Sequence, residues 1–188
     1  MEIVSEVVKA ELAPSGVIRV GLNHQNFLLV LGDGPDGSPT GIAPDLGREL
    51  GRRAGMPVRF VRFEKAGLLA NAAANGAWDI AFLGSEPERA SQIAFSAAYL
   101  EIPVTFLVGY GSPIQKISDL DRVDIRIAVA EKSAYDLYLT RSFKRARLVR
   151  VPGIDESFNL FTRQSLDALA GLKPRLIIDA ENCPVHAF

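Results

Sequence analysis

The stretch Trp78–Tyr99, WDIAFLGSEPERASQIAFSAAY, decides how the chain is read. Trp78–Leu83 has the length and apolarity of a strand buried on both faces, as at the centre of a parallel sheet. It runs into a Gly84-Ser85 turn, an acidic segment with a proline and a single arginine, Arg89, before turning apolar again. Ser85-Glu86-Pro87-Glu88 has the S-x-x-E form of a capping box with proline near the helix start, so Ser85 is expected to cap a short helix carrying Arg89. That sets Arg89 just past the C-terminal end of a parallel strand, where open α/β sheets bind ligands. An arginine there can hold a carboxylate or phosphate through two parallel charge-assisted hydrogen bonds, a geometry lysine lacks. The plainer alternative is a surface arginine neutralised by Glu86 or Glu88, and local spacing leaves both readings open.

Upstream of this stretch the order is β-α-β-α-β. Val17–Leu22 is rich in β-branched residues and reads as a strand, Asp45–Ala54 as an amphipathic helix ended by Gly55, Val58–Phe63 as a strand and Lys65–Ala74 as a helix closed by Asn75-Gly76. That order argues for a parallel sheet with right-handed crossovers. Ile3–Leu12 is predicted to be a short leading helix stopped by Pro14-Ser15-Gly16, and LLVLGDGPDGSPTG a hairpin or loop. GDGPDG, Gly32–Gly37, is a surface turn rather than a phosphate loop, because no Gly-Lys-Ser/Thr follows and no helix opens from it.

Downstream, Ile102–Val108 reads as a strand and Gly109-Tyr110-Gly111-Ser112-Pro113 as a break, after which the alternation restarts. Strands at Ile125–Ala130, Arg147–Val151 and Leu166–Ala170 alternate with helices at Ala134–Phe143, Ile154–Phe161 and Pro174–Ala180. The expected organisation is two α/β lobes, residues 1–108 and 109–188, each a mostly parallel sheet flanked by helices. The recurrence is architectural, without a sequence repeat. In the second lobe Ser133-Ala134-Tyr135-Asp136 is again a capping box, S-x-x-D, at a helix start whose free N–H groups can face an anion. Arg89 and the Ser133 turn are expected on opposite sides of a cleft between the lobes.

Other chemistry is thinly represented. With 21 basic and 22 acidic side chains and a net charge of −1, the chain has no electrostatic footprint for nucleic acid or an anionic membrane. The longest apolar run, IPVTFLVG, is too short to insert in a bilayer. One cysteine, Cys183, excludes an intrachain disulfide framework, and with His24 and His186 alone there is no Cys/His cluster for a metal. No cofactor motif is present and no catalytic set is apparent, since His24 lacks an evident serine or cysteine partner. Trp78 reads as a packing aromatic, whereas Phe27 could pack or stack on a ligand. The opening MEIVSEVVKAELAPSG lacks the basic and unbroken apolar regions of a secretory signal, so the chain as written is cytoplasmic, or periplasmic if a leader was removed.

Taken in order, IRVGLN (Ile18–Asn23), the G-x-x-x-D-L element Gly41–Leu46, WDIAFLGSEPER with IAFSAAY, IAVAEKSAYDLYL and LDALAG (Leu166–Gly171) resemble the bacterial solute-binding protein family 3. These are the type 2 periplasmic-binding-protein fold of amino-acid ABC importers. The resemblance implies a non-enzymatic protein that closes by a hinge near Val108–Gly111 on a small carboxylate or amino acid and works with an ABC permease. It implies that Gly84 and Ser85 form the ligand turn, that Arg89 holds the carboxylate, that Ser133, Ala134 and Tyr135 form the second-lobe helix start, and that Asn23 and Phe27 cover the ligand. Three departures stand out. The turn between Gly84 and Arg89 is tighter than usual. Gly171-Leu172-Lys173 replaces the acidic residue that commonly holds an ammonium, which admits an amine-free carboxylate. The chain stops at Phe188 before the usual return to lobe one, which admits a homodimer, an exchanged segment or a truncated regulatory or sensory relative. A dehydratase-like enzyme on the same fold is the remaining alternative and would need an acid such as Glu86, Glu88 or Lys132.

Overall fold

A computed structural model of the protein describes residues 4–183, so Ile3 of the leading helix, His186 and the terminal Phe188 lie outside the described residues. The chain divides into two compact units, one running to Gly84 and including Ser91–Ile93, the other taking Ser85–Ala90 and continuing from Ala94.

The first unit opens with helix α1 (Glu6–Leu12), capped by Ser5, whose hydroxyl accepts from the Val8 amide at 3.3 Å. Next come β1 (Ile18–Asn23), the short pair β2 (Gly32–Asp33) and β3 (Pro39–Thr40), α2 (Ile42–Ala54), β4 (Val58–Phe63), α3 (Ala66–Asn71) and β5 (Ile80–Ala81). The turn-rich GDGPDGSPT is thus itself the hairpin, with the apolar Leu28–Leu31 in the loop before it. β1 lies at the centre of a parallel sheet ordered β4-β1-β5. Period-2 alternation puts Ile18, Val20 and Leu22 on one face at zero exposure, each burial contributing about 1.5–3 kcal/mol. Trp78, the expected packing aromatic, donates its indole N–H to the Leu69 carbonyl at 2.9 Å.

The second unit contains α4 (Pro87–Ala90), β6 (Val104–Leu107), β7 (Arg126–Ala130), α5 (Ala134–Ser142), β8 (Arg147–Val151), α6 (Ile154–Arg163), β9 (Ala168–Leu172) and α7 (Lys173–Glu181). Its sheet is ordered β6-β9-β7-β8, parallel except for β6, which pairs antiparallel with β9. β6 therefore extends the second sheet, although the sequence leaves this segment at the end of the first lobe. Central β7 and β9 are buried on both faces, with clusters around Ile127, Val129 and Leu139 and around Leu169, Phe161 and Leu176.

The same ion-pair clamp holds each sheet. In the first unit the Arg19 amide and side chain bind the Asp79 carboxylate at 2.6–3.0 Å, and the Arg19 guanidinium also donates to the Gly76 carbonyl. In the second, the Arg126 amide donates to Asp167 at 2.7 Å, its Nε does so at 3.3 Å, and its Nη2 donates to the Ser165 carbonyl at 2.9 Å. Each arginine is thus tied to an aspartate leading into the neighbouring strand and to the left-handed residue that ends the preceding helix, Gly76 at φ 56° or Ser165 at φ 45°. Because a side chain at positive φ is strained where glycine is not, Ser165→Gly should be neutral or stabilising by up to about 1 kcal/mol in urea unfolding. A clear loss would show that the hydroxyl matters more than the backbone.

The clamp also carries a pH signature. Burial pushes the Asp79 carboxyl up, but the hydrogen bonds and charge of Arg19 outweigh it and hold the group below its ordinary value. A carboxyl depressed in the folded state stabilises fully above its unfolded pKa of about 3.9 and loses that contribution as pH falls through the folded value. Stability should therefore fall below about pH 4, and Asp79→Asn should flatten that acid limb, measured by urea midpoints from pH 7 to 2. An unchanged limb in the variant would remove Asp79 as its source.

Candidate functional site

In the first unit, the candidate residues follow the C-terminal end of β1. Asn23 is its last residue, and its side-chain oxygen accepts from the Gln25 amide at 3.2 Å, starting the turn into the loop. Phe27 is half-buried in that loop, its amide donating to the Gln25 carbonyl at 3.1 Å. The loop is stitched to α2 by a bond from the Ala43 amide to the Leu29 carbonyl and to β3 by one from the Leu31 amide to the Thr40 carbonyl. Two buried polar atoms in it, His24 Nε2 and Asn26 Oδ1, have no hydrogen-bond partner among the described residues. His24 drew attention in the sequence only as a histidine without a catalytic partner, and Asn26 drew none, because an orphaned group leaves no mark on residue spacing. Gly84 is exposed at the end of this unit.

The remaining candidates, Ser85, Arg89, Ser133, Ala134 and Tyr135, all belong to the second unit. The Ser85–Ala90 segment is grouped there although Gly84 before it and Ser91–Ile93 after it belong to the first unit. Arg89 donates from Nη2 to the Lys132 carbonyl at 2.8 Å, one residue before Ser133. The cause is a pair of side-chain contacts along one segment: Arg89 meets Lys132 while the Glu86 carboxylate takes Arg141. α4 begins at Pro87, which leaves Glu86 rather than Ser85 at the position before the first helical residue, and Ser85 is exposed. Proline at the first helical position sets that boundary, since its fixed φ and missing N–H suit it.

The Ser133 cap forms as expected: the hydroxyl accepts from the Asp136 amide at 3.0 Å. The Asp136 carboxylate reaches back one residue further than a capping box requires, to the Lys132 amide at 2.8 Å. Its other oxygen accepts from Arg150 Nε at 2.9 Å, so this buried acid is neutralised within the unit. Lys132 itself sits at φ 56°, a left-handed residue that aims its carbonyl at Arg89. Burial pushes the Arg89 guanidinium below its ordinary value, against the raising influence of Glu86 and Glu88. Burial likewise drives the Tyr135 phenol up to about 12, so it stays a neutral donor at physiological pH. Ala134 is partly buried as the first residue of α5.

A second group in this unit went unread in the sequence. Arg175 donates from Nε to Asp179 at 2.7 Å and from Nη2 to Asp155 at 2.6 Å. Burial raises the Asp179 carboxyl despite Arg175, and its second oxygen has no hydrogen-bond partner among the described residues. The i,i+4 spacing of Arg175 and Asp179 on α7 was the available signal. Among the described residues no group of three or more His, Cys, Asp or Glu could hold a metal ion, and no helix is long and apolar enough to cross a membrane.

The model of the bacterial extracellular solute-binding proteins, family 3, matches residues 18–173. No curated protein matches the chain. Solved structures do: an ancestral amino acid-binding protein, precursor of cyclohexadienyl dehydratase, is 23% identical with a TM-score of 0.75 over 96% of this chain and 80% of that one. Holo ArgBP from T. maritima is 22% identical with a TM-score of 0.72, over 93% and 77% of the respective chains. An ancestral arginine-binding protein bound to arginine is 21% identical with a TM-score of 0.72, over 92% and 78%. At this identity the similarity establishes the type 2 periplasmic-binding-protein fold.

Proposed function

The chain belongs to the bacterial extracellular solute-binding proteins, family 3, and on that premise we propose that it binds a small carboxylate, in the first instance an amino acid, as the solute-binding component of an ABC-type importer. The observation that carries this reading is Arg89, 6% exposed and bonded to the Lys132 carbonyl beside the capped start of α5, at the C-terminal end of β7. A buried guanidinium beside the N-terminus of a helix suits a carboxylate in charge and in hydrogen-bond geometry. The amino-acid ligands of the structural relatives support the substrate class. Gly171-Leu172-Lys173 carries no acid for an ammonium, so amine-free carboxylates belong among the candidates. Under this reading the protein works outside the cytoplasm, hands its solute to a permease and performs no catalysis. Of the acids a dehydratase-like reading would use, Glu86 is committed to Arg141.

The test is a thermal-shift screen with the twenty proteinogenic L-amino acids, succinate and 2-oxoglutarate. Ligand at a hundredfold its Kd adds about 2.7 kcal/mol of stability, so at least one carboxylate should raise Tm by several degrees. A panel without any shift would remove the reading.

A further inference from the structure

Among the described residues, the free edges of the two larger sheets belong to β4 and β5 in the first unit and to β6 and β8 in the second. A free edge offers unpaired N–H and C=O groups to any other strand, and chains blunt it with charge, with proline or by keeping it very short. β4 carries Arg59 and Arg62, β8 carries Arg147 and Arg150, and β5 is two residues long. β6 has none of these devices: it is four residues long, and no charged side chain stands between Ile102 and Val108. Pro103, just ahead of it, does not blunt the outer edge, because its carbonyl accepts from the Lys173 amide at 2.8 Å and so faces β9.

Backbone groups alternate in direction along an antiparallel strand. With Pro103 turned to β9, Thr105 and Leu107 face β9 as well, opposite Gly171 and Leu169, and Val104 and Phe106 point their N–H and C=O groups outward. These two residues flank Thr105 symmetrically. A second β6 laid antiparallel, with Val104 opposite Phe106 and Phe106 opposite Val104, closes two reciprocal pairs of hydrogen bonds around a two-fold axis at Thr105. Its cross-strand pairs are β-branched against aromatic and threonine against threonine, both favourable combinations. The absence of charge is what fits this edge to itself: two-fold pairing sets a strand against its own copy, where the arginines of β4 or β8 would meet arginines.

The surroundings of the edge are apolar too. Val104 is 46% exposed. α7 packs against β6, and α6 against β7 and β9. One flank of α7 carries Arg175, which reaches Asp155 of α6. Ile177 lies about 200° further round the helix, on the flank away from α6, so it borders the outer side of β6 and is 52% exposed.

We propose that β6 is a self-association edge: two copies of this chain pair through β6, antiparallel about Thr105, and join their second sheets edge to edge. A four-residue strand pair with one helix flank is smaller than the roughly 800 Å² each partner buries in a standard interface, so the dimer is reversible.

Sedimentation velocity of the full chain tests it. Wild type at about 200 µM should run as a dimer that dissociates on dilution. Val104→Lys puts a charge on the edge, and Val104→Pro removes one outward N–H without touching a bond to β9. Each should raise the dimer dissociation constant by about tenfold or more, with urea midpoints near wild type showing that the fold is kept. In a Cys183→Ser background, Thr105→Cys should form an interchain disulfide on oxidation, since opposed residues of a non-hydrogen-bonded pair stand about 4.5 Å apart at Cα. A wild-type monomer at about 200 µM would overturn the proposal. So would a dimer that both Val104 variants leave intact, or one in which Thr105→Cys gives no cross-link.

Discussion

Replacing Arg89 with alanine should abolish carboxylate binding and leave the protein folded. Removing one partner of a desolvated, charge-assisted pair costs about 2–5 kcal/mol, or roughly 30- to several thousand-fold in Kd. The effect on folding should be much smaller. Burial disfavours the Arg89 charge, so its removal relieves a desolvation cost while leaving the Lys132 carbonyl short of one donor. An unmet carbonyl costs about 1–3 kcal/mol, which the relief partly offsets, and Glu86 keeps Arg141 in the variant. Arg89→Lys should fall between the two, because the ammonium keeps the charge but cannot present two parallel donors. Isothermal titration with the carboxylate found by thermal shift, beside urea unfolding of the same proteins, separates binding from stability. Wild-type affinity in Arg89→Ala would remove Arg89 from the site and with it the anion reading of the second unit.

Much of the fold was legible because its elements are written in local patterns. Val58–Phe63 and Arg147–Val151 are strands with the bounds their β-branched, alternating composition predicts, and Ser133 caps α5 through the amide three residues on. The elements that were misread depend on partners distant in sequence. β6 looks like any short apolar strand, and only its register against Leu169–Leu172 assigns it to the second sheet. Trp78–Leu83 has the composition of a full strand, yet only Ile80 and Ala81 pair as β5, opposite Val20 and Gly21. The placement of Arg89 turned on Glu86 meeting Arg141, 55 residues away, a pairing that no periodicity announces. The recurrence of the Arg–Asp clamp was equally hidden: Ile18-Arg19-Val20 and Ile125-Arg126-Ile127 are alike, but their meaning appears only with Asp79 and Asp167 beside them. Residue spacing thus singles out Arg89, while the contacts its segment makes are with residues distant in sequence.

Gly41→Ala should be among the most damaging single substitutions in the first unit. Gly41 precedes α2 at φ 118°, and a Cβ there would lie 2.6 Å from the Leu29 carbonyl oxygen and 3.0 Å from the Leu31 nitrogen, both backbone atoms. Backbone cannot step aside as a flexible side chain can, so strain of about 1–3 kcal/mol from the conformation adds to about 1–3 kcal/mol from the overlap. A loss of about 3–5 kcal/mol would be a large part of the stability of an ordinary domain. Relief by movement would push the Asn26–Leu31 loop outward, expose Leu29 and Val30, now 6% and 4% exposed, and displace Phe27 with them. Gly37→Ala separates the two causes, because Gly37 also has positive φ, 75°, but its Cβ would meet nothing within 4 Å. That control should lose only about 1 kcal/mol. Urea unfolding of the two variants decides the matter: if Gly41→Ala is no worse than Gly37→Ala, the packing of the loop after β1 against the start of α2 is looser than drawn, and the loop carrying Phe27 is not fixed by it.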